Sequence, residues 1–188
     1  MERGGETATN PGMSSEEQTI SIHPYKRDRH GDAAWHIVSS VFGEYGFPFA
    51  ENDYDADLAD PAKYYDGQSG WFAIAEDGDG WAIGCIGLTD EGDGVFELHR
   101  LYVLAEQRKS GAGSALVRWV LETARERGAR KVILYSDTHF RDAHRLYERF
   151  GFVQKTVRYA PDPWQSREWG YELEIATASR DASKMKDG

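Results

Sequence analysis

The apolar positions of this chain repeat with two different periods, and each change of period marks an element. Residues 19–25 alternate apolar and polar side chains as far as Pro24, the pattern of a strand that stops where proline removes a backbone donor. Between 32 and 42, Ala33, Ile37 and Val41, with Ala34 and Val38, fall at helical spacing, and Gly43 and Gly46 break the pattern. Residues 58–65 predict a short second helix with Asp60 as N-cap and Pro61 in its first position. Runs at 71–76 and 81–89 flank the turn Asp77-Gly-Asp-Gly80 and predict a β-hairpin.

A longer strand is predicted over 95–104, and the clearest helix over 110–127. Ala112, Ala115, Leu116, Trp119, Val120 and Ala124 form that helix's apolar stripe, and Gly128 ends it. A short apolar strand at 131–135 and a helix at 140–150 follow, opened by Asp137-Thr138 with Thr138 as the expected N-cap. Strands at 152–159 and 171–176 close the pattern. The order β-α-α-β-β-β-α-β-α-β-β predicts an α/β fold of the mixed α+β kind, with helices on both faces of one sheet. It lacks the regular alternation of a dinucleotide-binding fold.

Composition narrows the picture. A length of 188 residues suits one domain with its own core. The polar stretch 1–18 reads as a disordered lead-in, 19–177 as the single domain, and 178–188 as a flexible tail. A net charge of −10 argues against nucleic acid as a partner and favours a cationic ligand such as an amine. No apolar run approaches the ~20 residues of a membrane span, and residues 1–18 have no signal-peptide core, so no membrane partner is expected. Cys85 stands alone, which excludes an intramolecular disulfide and fits a cytoplasmic location; its strand-like surroundings predict a buried structural thiol.

Residues 105–116, Ala-Glu-Gln-Arg-Lys-Ser-Gly-Ala-Gly-Ser-Ala-Leu, join the long strand to the clearest helix. Arg108, Gly111 and Gly113 stand at R-x-x-G-x-G spacing, where a strand must turn sharply and start a helix with its amides open. Such a helix start suits a phosphate or pyrophosphate, and the glycines let the backbone approach it.

Two motifs in this order resemble those of the GCN5-related N-acetyltransferase (GNAT) superfamily, which transfers acetyl from acetyl-CoA to an amine. One is residues 101–116; the other is Ala143-His-Arg-Leu-Tyr-Glu-Arg-Phe-Gly-Phe152, similar to the family's A-x-x-L-Y-x-x-x-G-F signature. The resemblance covers about residues 19–176 and implies a central mixed, mostly antiparallel twisted sheet flanked by helices. It implies that Arg108, Lys109, Ser110, Gly111, Ala112, Gly113 and Ser114 hold the CoA pyrophosphate. Leu101, Tyr102 and Val103 would lie along the pantetheine arm, on a strand that splays from its neighbour. Lys109 and Ser110 depart from the commonest loop, where glycine and lysine are frequent, and Ala105 replaces a frequent proline. Basic charge is kept.

Acetyl transfer needs a group to take the amine's proton. Glu97 lies on the strand entering the loop, where some members of the superfamily place a catalytic glutamate. A carboxylate on an apolar strand is costly unless paired or functional, and burial raises its pKa toward a useful value. Ion pairing with Arg100 or His99 is the structural alternative, and His99 is a second candidate base. Strict alternation places Glu97, His99, Leu101 and Val103 on one face, and Phe96, Leu98, Arg100 and Tyr102 on the other. Tyr147 stands where many family members place a tyrosine near the sulfur, and is the expected acid for the leaving thiolate. His139 and His144 are five apart and share no helical face, so no metal site is expected.

The resemblance places acceptor recognition in the first two helices and the last hairpin. Glu44, Tyr45, Asp53 and Asp55 are the candidate substrate residues, an acidic and aromatic set suited to an amine. Arg167 and Glu168 would favour an acceptor bearing a carboxylate. The leading expectation is an acetyl-CoA-dependent N-acetyltransferase acting on a small-molecule amine or amino-acid-like acceptor, assembled as a homodimer as many such proteins are. The alternatives are a protein or peptide N-acetyltransferase, and a non-catalytic acyl-CoA-binding regulatory module.

Overall fold

The structure is a computed structural model that describes residues 19–51, 53–66, 69–162 and 164–176. The expected lead-in at 1–18 and the tail at 178–188 lie outside the described residues. Seven strands form one sheet: β1 (Ser21–Pro24), β2 (Gly70–Glu76), β3 (Ala82–Gly92), β4 (Val95–Val103), β5 (Lys131–Asp137), β6 (Val153–Tyr159) and β7 (Arg167–Glu174). Their spatial order is β1-β2-β3-β4-β5-β7-β6. Every neighbouring pair is antiparallel except β4 and β5, which are parallel and joined by the crossover helix α4 (Ala112–Glu126). This is the mixed, mostly antiparallel sheet that the sequence led us to expect.

The helices divide between the two faces. α4 buries Leu116, Val117, Val120 and Ala124 against Ala73, Ala75, Ile86, Leu88, Phe96 and Leu98. On the opposite face α2 (Ala33–Tyr45) buries Ile37, Val38 and Phe42 against Phe72, Ile74 and Cys85. Because β2 is covered on both sides it reads as a continuous apolar run rather than an alternating one. Cys85 is fully buried, and burial pushes its thiol up to about 12, so it behaves as a structural thiol.

Several element boundaries differ from the sequence reading. α2 runs through Gly43 and stops at Gly46, whose φ of +68° caps the helix while the amide of Phe47 bonds to the carbonyl of Phe42. The second predicted helix divides into a 3₁₀ turn (Ala56–Ala59) and α3 (Pro61–Asp66), and Asp60 accepts from the amide of Lys63 as a cap should. A single helical turn, α1 (Arg27–His30), was not anticipated. α5 (Arg141–Arg149) starts after Phe140 rather than at Thr138: the loop is turned instead by Asp137, whose carboxylate accepts from the amide of His139. β7 begins at Arg167, earlier than its apolar part, because it pairs along β5 as far as Asp137.

Two irregularities position the functional cleft. β5 pairs with β4 only over Val95–Leu98 and Lys131–Leu134; beyond that, residues 99–103 have no partner on β5 and the sheet opens as a wedge. On the other edge of β4, Tyr102 faces Cys85 and His99 faces Gly87, so β4 holds one residue more than β3 between these pairs. That extra residue is a β-bulge at Arg100, whose φ is +53°.

Candidate active site

The bulge changes which side chains share a face. Before it, Phe96 and Leu98 join the core under α4. After it, Leu101 and Val103 do so, while Tyr102 packs beneath α2. The expected face containing Glu97, His99, Leu101 and Val103 is therefore corrected. Glu97 and His99 look to the α2 side, and Leu101 and Val103 to the other, because the bulge inserts half a pleat. A left-handed φ at a non-glycine residue costs about 1–3 kcal/mol and persists only where its surroundings fix it. Here the surroundings are ionic: Arg100 donates from Nε and Nη2 to Asp57 at 3.0 and 2.6 Å, and from Nη1 to Asp55 at 2.7 Å. It also donates to the carbonyl of Tyr54 at 3.0 Å, and its own carbonyl accepts from the Cys85 thiol at 3.3 Å.

A cleft of about 870 Å³ follows the wedge from the glycine loop to the α2 side of β4. At one end stands the start of α4. Gly111, at φ +101°, is its N-cap and brings no side chain to cap it; Lys109 is also left-handed at +68°. The hydroxyl of Ser110 donates to the carbonyl of Gln107 at 2.7 Å and accepts from the amide of Ala112 at 3.3 Å, while Gly113 and Ser114 follow at the cleft. Arg108, Lys109, Gly111, Gly113 and Ser114 all line the cleft here. A helix start with basic side chains beside it has the chemistry that suits an anion. Leu101, Tyr102 and Val103 line the unpaired edge of β4 that leads away from it.

At the other end Glu97 projects into the cleft with its side chain 17% exposed. Burial pushes its carboxyl up to about 7; Arg158 opposes the rise, and Glu91 and Glu168 add to it. His99 Nδ1 lies 3.6 Å from Glu97 Oε1. Burial, reinforced by Arg100 and Arg158, pulls the imidazole down to about 4, so His99 is neutral at pH 7. Its Nε2 is 2.8 Å from the Thr89 hydroxyl, which donates to Glu91 at 2.6 Å. That chain assigns the His99 proton to Nε2 and leaves Nδ1, an acceptor, facing Glu97. Ligand atoms of Glu91, Glu97 and His99 lie within 4.8 Å of one another, a cluster not anticipated from the sequence.

Tyr147 enters the same cleft from α5 and is 4% exposed, packed against Phe152 and Tyr171. Burial raises its phenol well above the usual range, so it keeps its proton. His144 is buried beside Ser136 and Trp169, whereas His139 is exposed and bonded to Asp137; the two histidines do not meet.

The candidate substrate residues do not gather as a set. Asp53 lines the cleft and is exposed. Tyr45 lines it too, stacked edge-on against Phe140. Glu44 lies beside the glycine loop, paired with Arg108 at 2.7 Å. Asp55 is corrected outright. It is 0% exposed, bonded to Arg100 and to the amide of Ala50, with nothing left for a ligand. Arg167 lies outside the cleft lining, while Glu168 lines it and bonds to Arg158 at 2.8 Å. Arg158 also lies over the Tyr135 ring, 3.2 Å from its centroid. Arg158 was missed because nothing local distinguishes it on the exposed strand β6. Arg100, the alternative partner considered for Glu97, is committed instead to Asp57 and Asp55, and Asp57 was missed because that pairing spans 43 residues.

A sheet splayed beside a parallel pair, a glycine loop opening a helix at one end and a buried carboxyl at the other define the N-acetyltransferase class of acyl-transfer fold. The chain belongs to the acetyltransferase (GNAT) family, which it matches over residues 34–152. It is 31% identical over 145 residues to an uncharacterised N-acetyltransferase of Schizosaccharomyces pombe, covering 77% of this chain and 88% of that one. A shorter match, 38% over 65 residues, joins 35% of this chain to 42% of the aminoalkylphosphonate N-acetyltransferase of Salmonella typhimurium. The fold is similar to a GNAT-family acetyltransferase from Staphylococcus aureus Mu50, with a TM-score of 0.73 at 20% identity over 84% of this chain and all of that one. It is also similar to the ribosomal-protein-S18-alanine N-acetyltransferase of Escherichia coli, with a TM-score of 0.66 at 18% identity over 87% and 98%. Among the described residues no helix is long and apolar enough to cross a membrane.

Proposed function

We propose that this acetyltransferase moves the acetyl group of acetyl-CoA to the primary amine of a small-molecule or amino-acid-like acceptor, by direct attack. The observation that carries the reading is that one continuous cleft holds the open helix start, Glu97 and Tyr147. The pyrophosphate would rest on the amides at Gly111, Gly113 and Ser114, beside Arg108 and Lys109. The pantetheine arm would run along the unpaired edge of β4 and bring the thioester to the amides of 101–103, which polarise its carbonyl.

The amine nitrogen attacks the carbonyl carbon, the carbon–sulfur bond breaks, and the electron pair leaves on sulfur. Glu97 takes the proton the amine sheds; at about 7 its carboxyl is substantially ionised near neutral pH while still basic enough to accept. Tyr147 gives its proton to the sulfur. A thiolate held in the same desolvated cleft is itself more basic than in water, which favours that transfer. Holding an activated thioester against a deprotonated amine supplies much of the acceleration.

Glu91 and Glu168 outnumber Arg158 among the charged groups acting on Glu97, and the same cleft is lined by Asp53, Asp162, Tyr64 and Trp164. Such a lining attracts an amine as its ammonium, which gives one proton to solvent on becoming the nucleophile and its second to Glu97 as it attacks. Assaying thiol release from acetyl-CoA against a panel of small amines, amino acids and peptides tests the reading. Turnover with small amines supports it, and turnover with peptides alone replaces it with protein modification.

A further inference from the structure

Arg100 is almost wholly enclosed, its side chain 13% exposed, yet it touches neither the start of α4 nor Glu97. It links two parts of the cleft that are remote in sequence. One is the bulge of β4, where its own backbone is left-handed. The other is the segment Tyr54–Asp57, which it grips through the Asp55 and Asp57 carboxylates and the Tyr54 carbonyl. Both ends of this link border the cleft. Leu101 follows Arg100 directly and begins the stretch whose amides line the donor path. Tyr54, beneath whose ring the guanidinium lies at 5.6 Å, lines the acceptor end.

The clamp is fully paired from both sides. Asp55 accepts from the Ala50 amide at 2.9 Å, and Asp57 lies 3.4 Å from the Tyr65 hydroxyl. Tyr65 in turn fills the space over Gly87, where an added Cβ would come within 2.7 Å of its ring. Arg100 therefore does more than neutralise two buried carboxylates. It ties the β4 bulge to the segment Tyr54–Asp57.

We propose that Arg100, Asp55 and Asp57 form a positioning clamp that sets the β4 bulge against the acceptor segment, so that it governs the rate of acetyl transfer while leaving donor binding intact. This rests on the reading of the cleft given above. A bidentate guanidinium defines an orientation that an ammonium does not. Arg100→Lys keeps the charge but loses the fork, and Asp57→Asn removes the opposite half.

The test measures kcat, the KM values of acetyl-CoA and amine, and the thermal midpoint for Arg100→Lys, Asp57→Asn and the double variant. It also records the carbonyl stretch of bound acetyl-CoA labelled at its carbonyl carbon. The clamp predicts that kcat falls about 10²-fold in each single variant, with KM for acetyl-CoA within about twofold of the original. The double variant should lose little beyond either single one, since they break one unit. In the intact protein the carbonyl band of the bound thioester shifts to lower frequency, and in folded Arg100→Lys that shift is lost.

Wild-type kcat in either folded variant overturns the proposal, as does a loss that only follows the folded fraction, or a band shift that survives in Arg100→Lys. If the native protein acetylates no amine, the functional reading fails, and the band shift still decides for or against the clamp. If one variant does not fold, the other carries the comparison. If neither folds at a temperature where the native protein is stable, Arg100 is a folding residue and the proposal falls.

Discussion

The Glu97 carboxyl and the His99 imidazole stand 3.6 Å apart on β4, and they do not form a charged pair. Burial moves them in opposite directions, Glu97 up to about 7 and His99 down to about 4. Near neutral pH His99 is an uncharged neighbour whose free nitrogen faces a carboxyl able to take a proton. The relationship separates the two candidate bases. At pH 7 an imidazole titrating near 4 has little capacity to hold an abstracted proton, whereas Glu97 is matched to the task.

The first prediction concerns that carboxyl. The value of kcat/KM should rise with pH through about 7, as Glu97 ionises. Glu97→Gln should lower it by about 10²-fold or more and remove that acidic limb. A limb that stays in place in the variant would remove Glu97 as the base.

The same group makes a prediction about stability. Its folded pKa is raised, so ionising it costs the native state; the cost is absent below the unfolded value of about 4.3 and complete above about 7. Glu97→Gln should therefore match the original protein at pH 4 and exceed its stability at pH 8, by up to about 3 kcal/mol. Denaturant unfolding at the two pH values checks this, and equal stability at pH 8 would contradict the buried-carboxyl account.

Tyr147→Phe keeps the ring packed against Phe152 and Tyr171 but removes the hydroxyl proposed to protonate the thiolate. We expect kcat to fall by about 10²-fold while acetyl-CoA affinity changes less than about twofold. Stopped-flow and calorimetry separate the two, and an unchanged rate would leave Tyr147 as a core residue only.

A Cβ added at Gly111 would come no closer than 3.9 Å to its nearest neighbour, Ile20, so it meets space, not a clash; what resists it is the φ of +101°. Gly111→Ala should distort the open helix start and weaken acetyl-CoA binding about tenfold. Gly128→Ala, at φ +80° beyond the far end of the same helix, provides the control, with comparable strain and unaltered affinity. Equal losses in both would argue against the loop as the donor site.

Glu44 also bears on the loop, because its carboxylate occupies the Arg108 guanidinium at 2.7 Å. Replacing it by glutamine removes a negative charge beside the expected pyrophosphate. Acetyl-CoA affinity should increase by about threefold at low salt, with the gain shrinking as salt is added. Weaker binding would mean that Glu44 orients Arg108 for its ligand.

Much of the fold could be read from the chain because its strong signals are local. The α4 stripe, the Asp77–Gly80 turn and the Asp60-Pro61 helix start depend on neighbours in sequence; the structure keeps the last two, and keeps the stripe with Val117 and Leu121 buried in it and Ala115 and Trp119 half-buried at its edge. The glycine loop is legible for the same reason. What escaped were contacts made across the fold. Alternation along β4 assumes an unbroken pleat, and the bulge at Arg100 is held by carboxylates 43 and 45 residues away. The acidic residues of 53–57 read as one amine-binding set, yet the structure leaves Asp53 at the cleft and commits Asp55 to Arg100. Equal charges near one another in sequence do not report which of them a distant cation will claim.

The central claim is that this cleft carries acetyl from acetyl-CoA to an amine, and direct turnover tests it. Purified protein is mixed with acetyl-CoA and a panel of small amines, amino acids and peptides, and both the released CoA thiol and the acetylated product are quantified. The account predicts thiol and N-acetylated small amine in equal amounts, both lost together in Glu97→Gln. Tight acetyl-CoA binding with no product from any acceptor would contradict it and leave an acyl-CoA-binding module in its place.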